Sequence, residues 1–191
     1  MNLINQLREQ LGYPPFIKID PNTQQLPVKA SADIHQKTGQ GVLTAVLTAM
    51  YQLSRTEEGF GYLLNKDRNI PWISILFGNE AEGVVSAIVS YSGSDAVTVQ
   101  NSIEEAAKQA WLTSSKALEG KLTYDNCGKY FSAVRNELLH YLPPEIQLGK
   151  KLHDNSLDDR TNKMEGPVSG MMHRIEKIFG GPQDHHRDFG F

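Results

Sequence analysis

Apolar residues return every three or four positions along most of the chain, and almost nowhere at every second one. That period puts them on one side of helices, not on one face of a sheet. Leu3, Ile4, Leu7 and Leu11 form the first stripe, which Gly12, Pro14 and Pro15 end. Residues 13–37 are interrupted by Pro14, Pro15, Pro21 and Pro27 and read as an irregular segment. A second helix is predicted from Gly39 or Gly41 to Ser54. Val42, Val46 and Met50 make one row and Leu43, Leu47 and Tyr51 the next, and two adjacent rows imply deep burial.

Ser54 followed by Glu57 predicts a capping box for a short helix through Leu63 and Leu64. Pro71 suits a first helical position and opens PWISILF, with Gly78 as the stop. Asn79 with Glu82 predicts a cap for a helix over Val84, Val85, Ile88 and Val89, closed by Gly93. The longest helix is predicted after Asp95, keeping its period through Val99, Ile103, Ala107 and Ala110 to Gly120. Thr123 opens another, with Cys127, Phe131, Val134, Leu138 and Leu142 inward and Pro143 and Pro144 as the end.

Residues 145–166 form a polar connection. In 167–179 the period returns: Val168, Met171, Met172, Ile175, Ile178 and Phe179 share one helical face, with His173, Arg174, Glu176 and Lys177 on the other. The last residues have no period. The pattern predicts an all-α fold, a compact multi-helix bundle in one domain over 1–180, with a flexible tail at 181–191. LINQLREQLGYPPFI and VRNELLHYLPPEI look alike, but any helix closed by prolines has this form, and no fixed repeat period follows.

Composition narrows the function classes. At 39% hydrophobic and 21% charged residues, collagen-like and wholly disordered chains are out. A net charge of −3 argues against nucleic acid as a partner. One cysteine makes no internal disulfide. The N-terminus lacks the basic and apolar regions of a signal peptide. The stretches GVLTAVLTAMYQL and GVVSAIVSY are shorter than the roughly 18–20 residues of a membrane span. The expectation is a soluble cytoplasmic protein with no membrane span.

Each candidate chemistry in the sequence lacks a part that it needs. A Cys127–His140 nucleophile pair needs hydrogen-bond reach, yet both fall on one predicted helix, roughly 20 Å apart along its axis. His153-Asp154 has the look of paired metal ligands but lies in a polar loop without further ligands. Asp20, Asn22 and Gln24, and likewise Asp154, Asp158 and Asp159, lack the turn glycine and closing acid of a calcium loop. Gly39-Gln40-Gly41 at a helix entry suggests phosphate binding, without the Lys-Ser/Thr that follows in a phosphate loop. His185-His186 makes no closed metal site. Trp72 and Trp111 suit an aromatic pocket or a core, and Met164, Met171 and Met172 a groove or a core.

The segment ISILFGNEAEGVVSAIVSYSG resembles the YidB-like family of bacterial proteins of unknown function, through Phe77, Gly78, Val84, Val85, Ile88, Ser92 and Gly93. The similarity extends over roughly residues 35–120. It implies a compact helical fold and supplies no activity, cofactor or catalytic residue. The sequence therefore points to a non-catalytic protein-interaction or scaffold module that could self-associate, with no cofactor or metal. Its alternatives are a hydrolase assembled in three dimensions from Cys127, His140, His153 and Asp154, and a small-molecule carrier built around Trp72 and Trp111.

Overall fold

The computed structural model describes residues 2–19, 33–64 and 70–152. These residues form eight α-helices and no strand: α1 (Leu3–Gln10), α2 (Ile34–Leu53), α3 (Glu57–Leu64), α4 (Trp72–Phe77), α5 (Ala81–Ser92), α6 (Ala96–Ala117), α7 (Tyr124–Leu138) and α8 (Leu148–Lys151). Two short 3-10 turns, Gly78–Glu80 and Pro144–Ile146, join α4 to α5 and α7 to α8. The all-helical bundle predicted from the periodicity is what the chain forms. The amphipathic stretch 167–179 and the tail 181–191 lie outside the described residues.

Helix α2 is the axle. It packs against α5, α6 and α7 most extensively, and also against α1, α3 and α4. Every residue from Thr38 to Met50 is buried, so the two apolar rows seen in the sequence are joined by the threonines and glycines between them. Thr44 stays inside because its hydroxyl donates to the Gln40 carbonyl at 2.8 Å, which satisfies a polar group that burial would otherwise leave costly.

The sequence placed the start of α2 too late. Asp33 caps it, its carboxylate accepting from the Gln36 amide, so residues 34–37 are helical and not irregular. Gly39 and Gly41 fall inside the helix because neighbours occupy the space a side chain needs. A methyl group on Gly39 would lie 2.4 Å from the Tyr13 ring, and one on Gly41 3.2–3.4 Å from Ile146, Ile88 and Tyr91.

Two further caps differ from expectation. Ser54 closes α2, its hydroxyl donating to the Tyr51 carbonyl. The Thr56 hydroxyl accepts from the Gly59 amide and begins α3 instead. Asn79 caps nothing, since the chain enters α5 through the 3-10 turn with no side-chain cap. Leu142 is buried but lies beyond α7, which stops at Leu138. Asp95 and Thr123 cap α6 and α7 as predicted, and Gly93 takes the left-handed conformation, φ 78°, after α5.

The N-terminal strap, residues 13–19, is held by α2 and by the turn after α7. Gln40, fully buried, accepts from the Ile17 amide at 3.0 Å and donates to the carbonyls of Ile17 at 2.9 Å and Tyr141 at 2.8 Å. The Ile19 amide donates to the His140 carbonyl at 2.7 Å, and Gln36 donates to the Pro15 carbonyl. The two helix–proline segments that look alike in sequence thus end on the same glutamine.

Helix α4 is started from outside. Both Glu104 carboxylate oxygens, from α6, accept from the Trp72 and Ile73 amides at 2.9 and 2.8 Å. These are orphan donors of a helix N-terminus, and a carboxylate is the strongest acceptor for them. Taken together, α4 and α5 make Trp72–Ser92, a stretch long and apolar enough by length and composition to cross a membrane. Reading its two halves separately hides that length. Its backbone is interrupted at Gly78, φ 49°, and its inward side chains Trp72, Phe77, Val84 and Ile88 join the common core.

Candidate functional site

Helix α1 turns Leu3, Ile4 and Leu7 into the core, which leaves Gln6 and Gln10, one turn apart, facing outward between α6 and α7. Helix α6 is one-sided in the same way: Ala106, Ala107, Ala110 and Ser114 are buried, and Gln109, Leu112, Thr113 and Lys116 border the outside. Between them and Tyr130 of α7 lies a groove of about 410 Å³. Gln10 bridges its exposed edge, its side-chain oxygen accepting from Gln109 Nε2 at 3.2 Å and Thr113 Oγ1 at 3.3 Å. Leu112 is 52% exposed on the rim. Burial pushes the Tyr130 phenol above its ordinary value, against the opposing effect of Ser114.

A second, more open groove of about 500 Å³ lies where α2 ends against α7, lined by Ser54, Arg55, Tyr124, Asp125, Lys129 and Ser132. The Tyr124 hydroxyl donates to the Arg55 carbonyl at 2.8 Å. The guanidinium groups of Arg55 and Arg135 stand 5.6 and 5.7 Å from the Tyr51 ring centre, within cation–π range. Arg55 and Lys129 line it together with Asp125, so the groove carries both signs of charge.

The structure does not bring the sequence candidates together. Cys127 is fully buried in the first turn of α7, and burial pushes its thiol up to about 11, which disfavours the reactive thiolate. His140 is exposed beyond the other end of that helix. His153 and Asp154 lie outside the described residues, as do Asp20, Asn22, Gln24, Asp158, Asp159, Met164, Met171, Met172, His185 and His186. Trp72 and Trp111 are core side chains, 6% and 8% exposed, and neither borders the two grooves. Gly39-Gln40-Gly41 lies in the second turn of α2, away from its amide end, which removes the phosphate reading. Among the described residues no three His, Cys, Asp or Glu side chains gather as a metal site.

Gln6, Gln10 and Gln109 escaped the sequence reading because glutamine at a helical surface carries no signal of its own. Only the packing of α1 across α6 brings them together. No family profile, curated protein or solved structure matches this chain.

Proposed function

We propose that the chain is a non-catalytic helical module that works through protein contacts, made at the groove between α1, α6 and α7. The amide lining carries this reading. Gln6, Gln10, Gln109 and Thr113 offer donors and acceptors without fixed charge, beside the apolar Leu112 and the ring of Tyr130. Such a surface suits the polar backbone and apolar side chains of another polypeptide, a second copy of this chain included. Kinship with the YidB-like proteins belongs to the same proposal. It rests on the sequence likeness at Phe77, Gly78, Val84, Val85, Ile88, Ser92 and Gly93. A cytoplasmic setting is proposed from the sequence alone.

Amine-directed cross-linking of the full chain in its native cells tests the function, because Lys116 borders the groove. Cross-links from Lys116 to another polypeptide are expected, and Leu112→Asp is expected to abolish them while the melting temperature holds. Unchanged cross-links in Leu112→Asp, or none from Lys116 in the parent, would remove the groove as the contact face.

A further inference from the structure

Helix α7 turns Cys127, Phe131 and Val134 to the core and a different face to the end of α2. On that face Asp125, Gly128, Lys129 and Ser132 recur three and four residues apart. Opposite them stand Ser54 and Arg55, and the two walls form the open groove of about 500 Å³, a size usual for small-molecule sites. The walls are close because residue 128 is glycine: a methyl group there would lie 3.3 Å from the Ser54 carbonyl oxygen. This groove shares no residue with the one between α1, α6 and α7.

Its hydrogen-bonding groups divide by charge. The hydroxyls of Ser54, Tyr124 and Ser132 donate to the carbonyls of Tyr51, Arg55 and Gly128 at 2.7, 2.8 and 2.7 Å. Each hydroxyl has one proton, so toward a ligand all three only accept, as does the Asp125 carboxylate. The side-chain donors of the lining are the Arg55 guanidinium and the Lys129 ammonium. A plain anion would suit these donors but bring only lone pairs to Asp125 and the hydroxyls. A plain amine would suit the acceptors but meet two cations. A ligand that carries an ammonium beside carboxylates suits both halves, and Arg55 is shaped to hold a carboxylate by two parallel bonds. Two cations against one carboxylate favour a ligand with one more negative charge than positive.

We propose that this groove binds a free α-amino acid with an acidic side chain. The ligand's ammonium faces Asp125 and the hydroxyl oxygens, and its two carboxylates face Arg55 and Lys129.

Titration of the full-length chain with L-glutamate and with L-aspartate, followed by nuclear magnetic resonance of the α7 backbone amides, tests it. Glutarate, which lacks the ammonium, and L-glutamine, which lacks the second carboxylate, are the comparisons. At least one of the two acidic amino acids is expected to bind, about tenfold more tightly than either comparison, since each comparison gives up one charge-assisted contact. Asp125→Asn is expected to erase the preference over glutarate, and Arg55→Gln to weaken binding about tenfold at an unchanged melting temperature. Lys129→Gln, on the exposed side of α7, gives the same reading should Arg55→Gln alter the fold. No shift at Gly128 or Lys129 with either amino acid at about 10 mM, a concentration that still populates weak complexes, overturns the proposal. Glutarate or L-glutamine binding as tightly also overturns it, and so does binding that none of the three substitutions changes. Cross-links from Lys116 read the other groove and stand or fall separately.

Discussion

Helix α2 and the Trp72–Ser92 stretch are nearly equal in length and both are poor in charge, with Lys37 alone in one and Glu80 and Glu82 in the other. One is buried from Thr38 to Met50 and the other mostly is not. Apolarity alone does not place a helix inside. Helix α2 is inside because three long helices surround it and its glycines admit the Tyr13 ring and Ile146. The α4–α5 stretch closes only one side of that ring, so Glu82, Ser86 and Ser90 stay exposed on its outer side.

The largest test of this contrast is Leu47→Ala in the middle of α2. Removing a fully buried leucine is expected to lower stability by about 2–5 kcal/mol, read as a shift of the denaturation midpoint. A loss under about 1 kcal/mol would show a softer interior than α2 requires. Next, Glu104→Ala leaves the Trp72 and Ile73 amides without their acceptor and should cost about 1.5–3 kcal/mol. Earlier hydrogen exchange at α4 than at α2 is the accompanying sign. Gln40→Leu removes three bonds to the strap and to Tyr141, with an expected loss of about 1–3 kcal/mol and faster proteolysis within 13–19.

A smaller effect comes from Cys127, part of the wall that α7 builds against α2. Its folded thiol value, about 11, lies above the unfolded value of about 8.5. Its contribution is therefore present below the unfolded value and lost as pH rises through the folded one. The midpoint should fall over that window in the parent more than in Cys127→Ala, and native thiol labelling at pH 8 should be slow. Smallest of all, Ser86→Ala on the outer side of α5 should change stability by no more than about 0.5 kcal/mol. A larger loss would place that side of α5 in the core after all.

The helices were legible because their stripes, stops and several caps are local. Asp95, Thr123 and Gly93 act on residues within one turn, and the sequence displays such signals directly. The start of α2 was not legible, because Gly39 and Gly41 resemble a helix entry until the Tyr13 ring and Ile146 are seen to need their space. Ser54 and Thr56 are two residues apart and equally good caps. Which one serves depends on where α2 stops. The Glu104 clamp and the glutamine groove lie further from reach, since each joins residues of different helices and leaves no spacing to read. Polar amides give a sequence few clues until packing assembles them.

Gln40 also has a meaning in time. Its oxygen can take up Ile17 as soon as α2 exists, but Tyr141 comes 101 residues later. At about 5–20 residues per second of synthesis, that is a wait of roughly 5–20 s. During it the amide has one partner instead of two, and the Ile19 amide lacks the His140 carbonyl. The strap at residues 13–19 is thus fastened by the turn after α7, the seventh of the eight described helices. A chain halted before α7 would hold its first residues loosely, whatever the quality of the helices already formed.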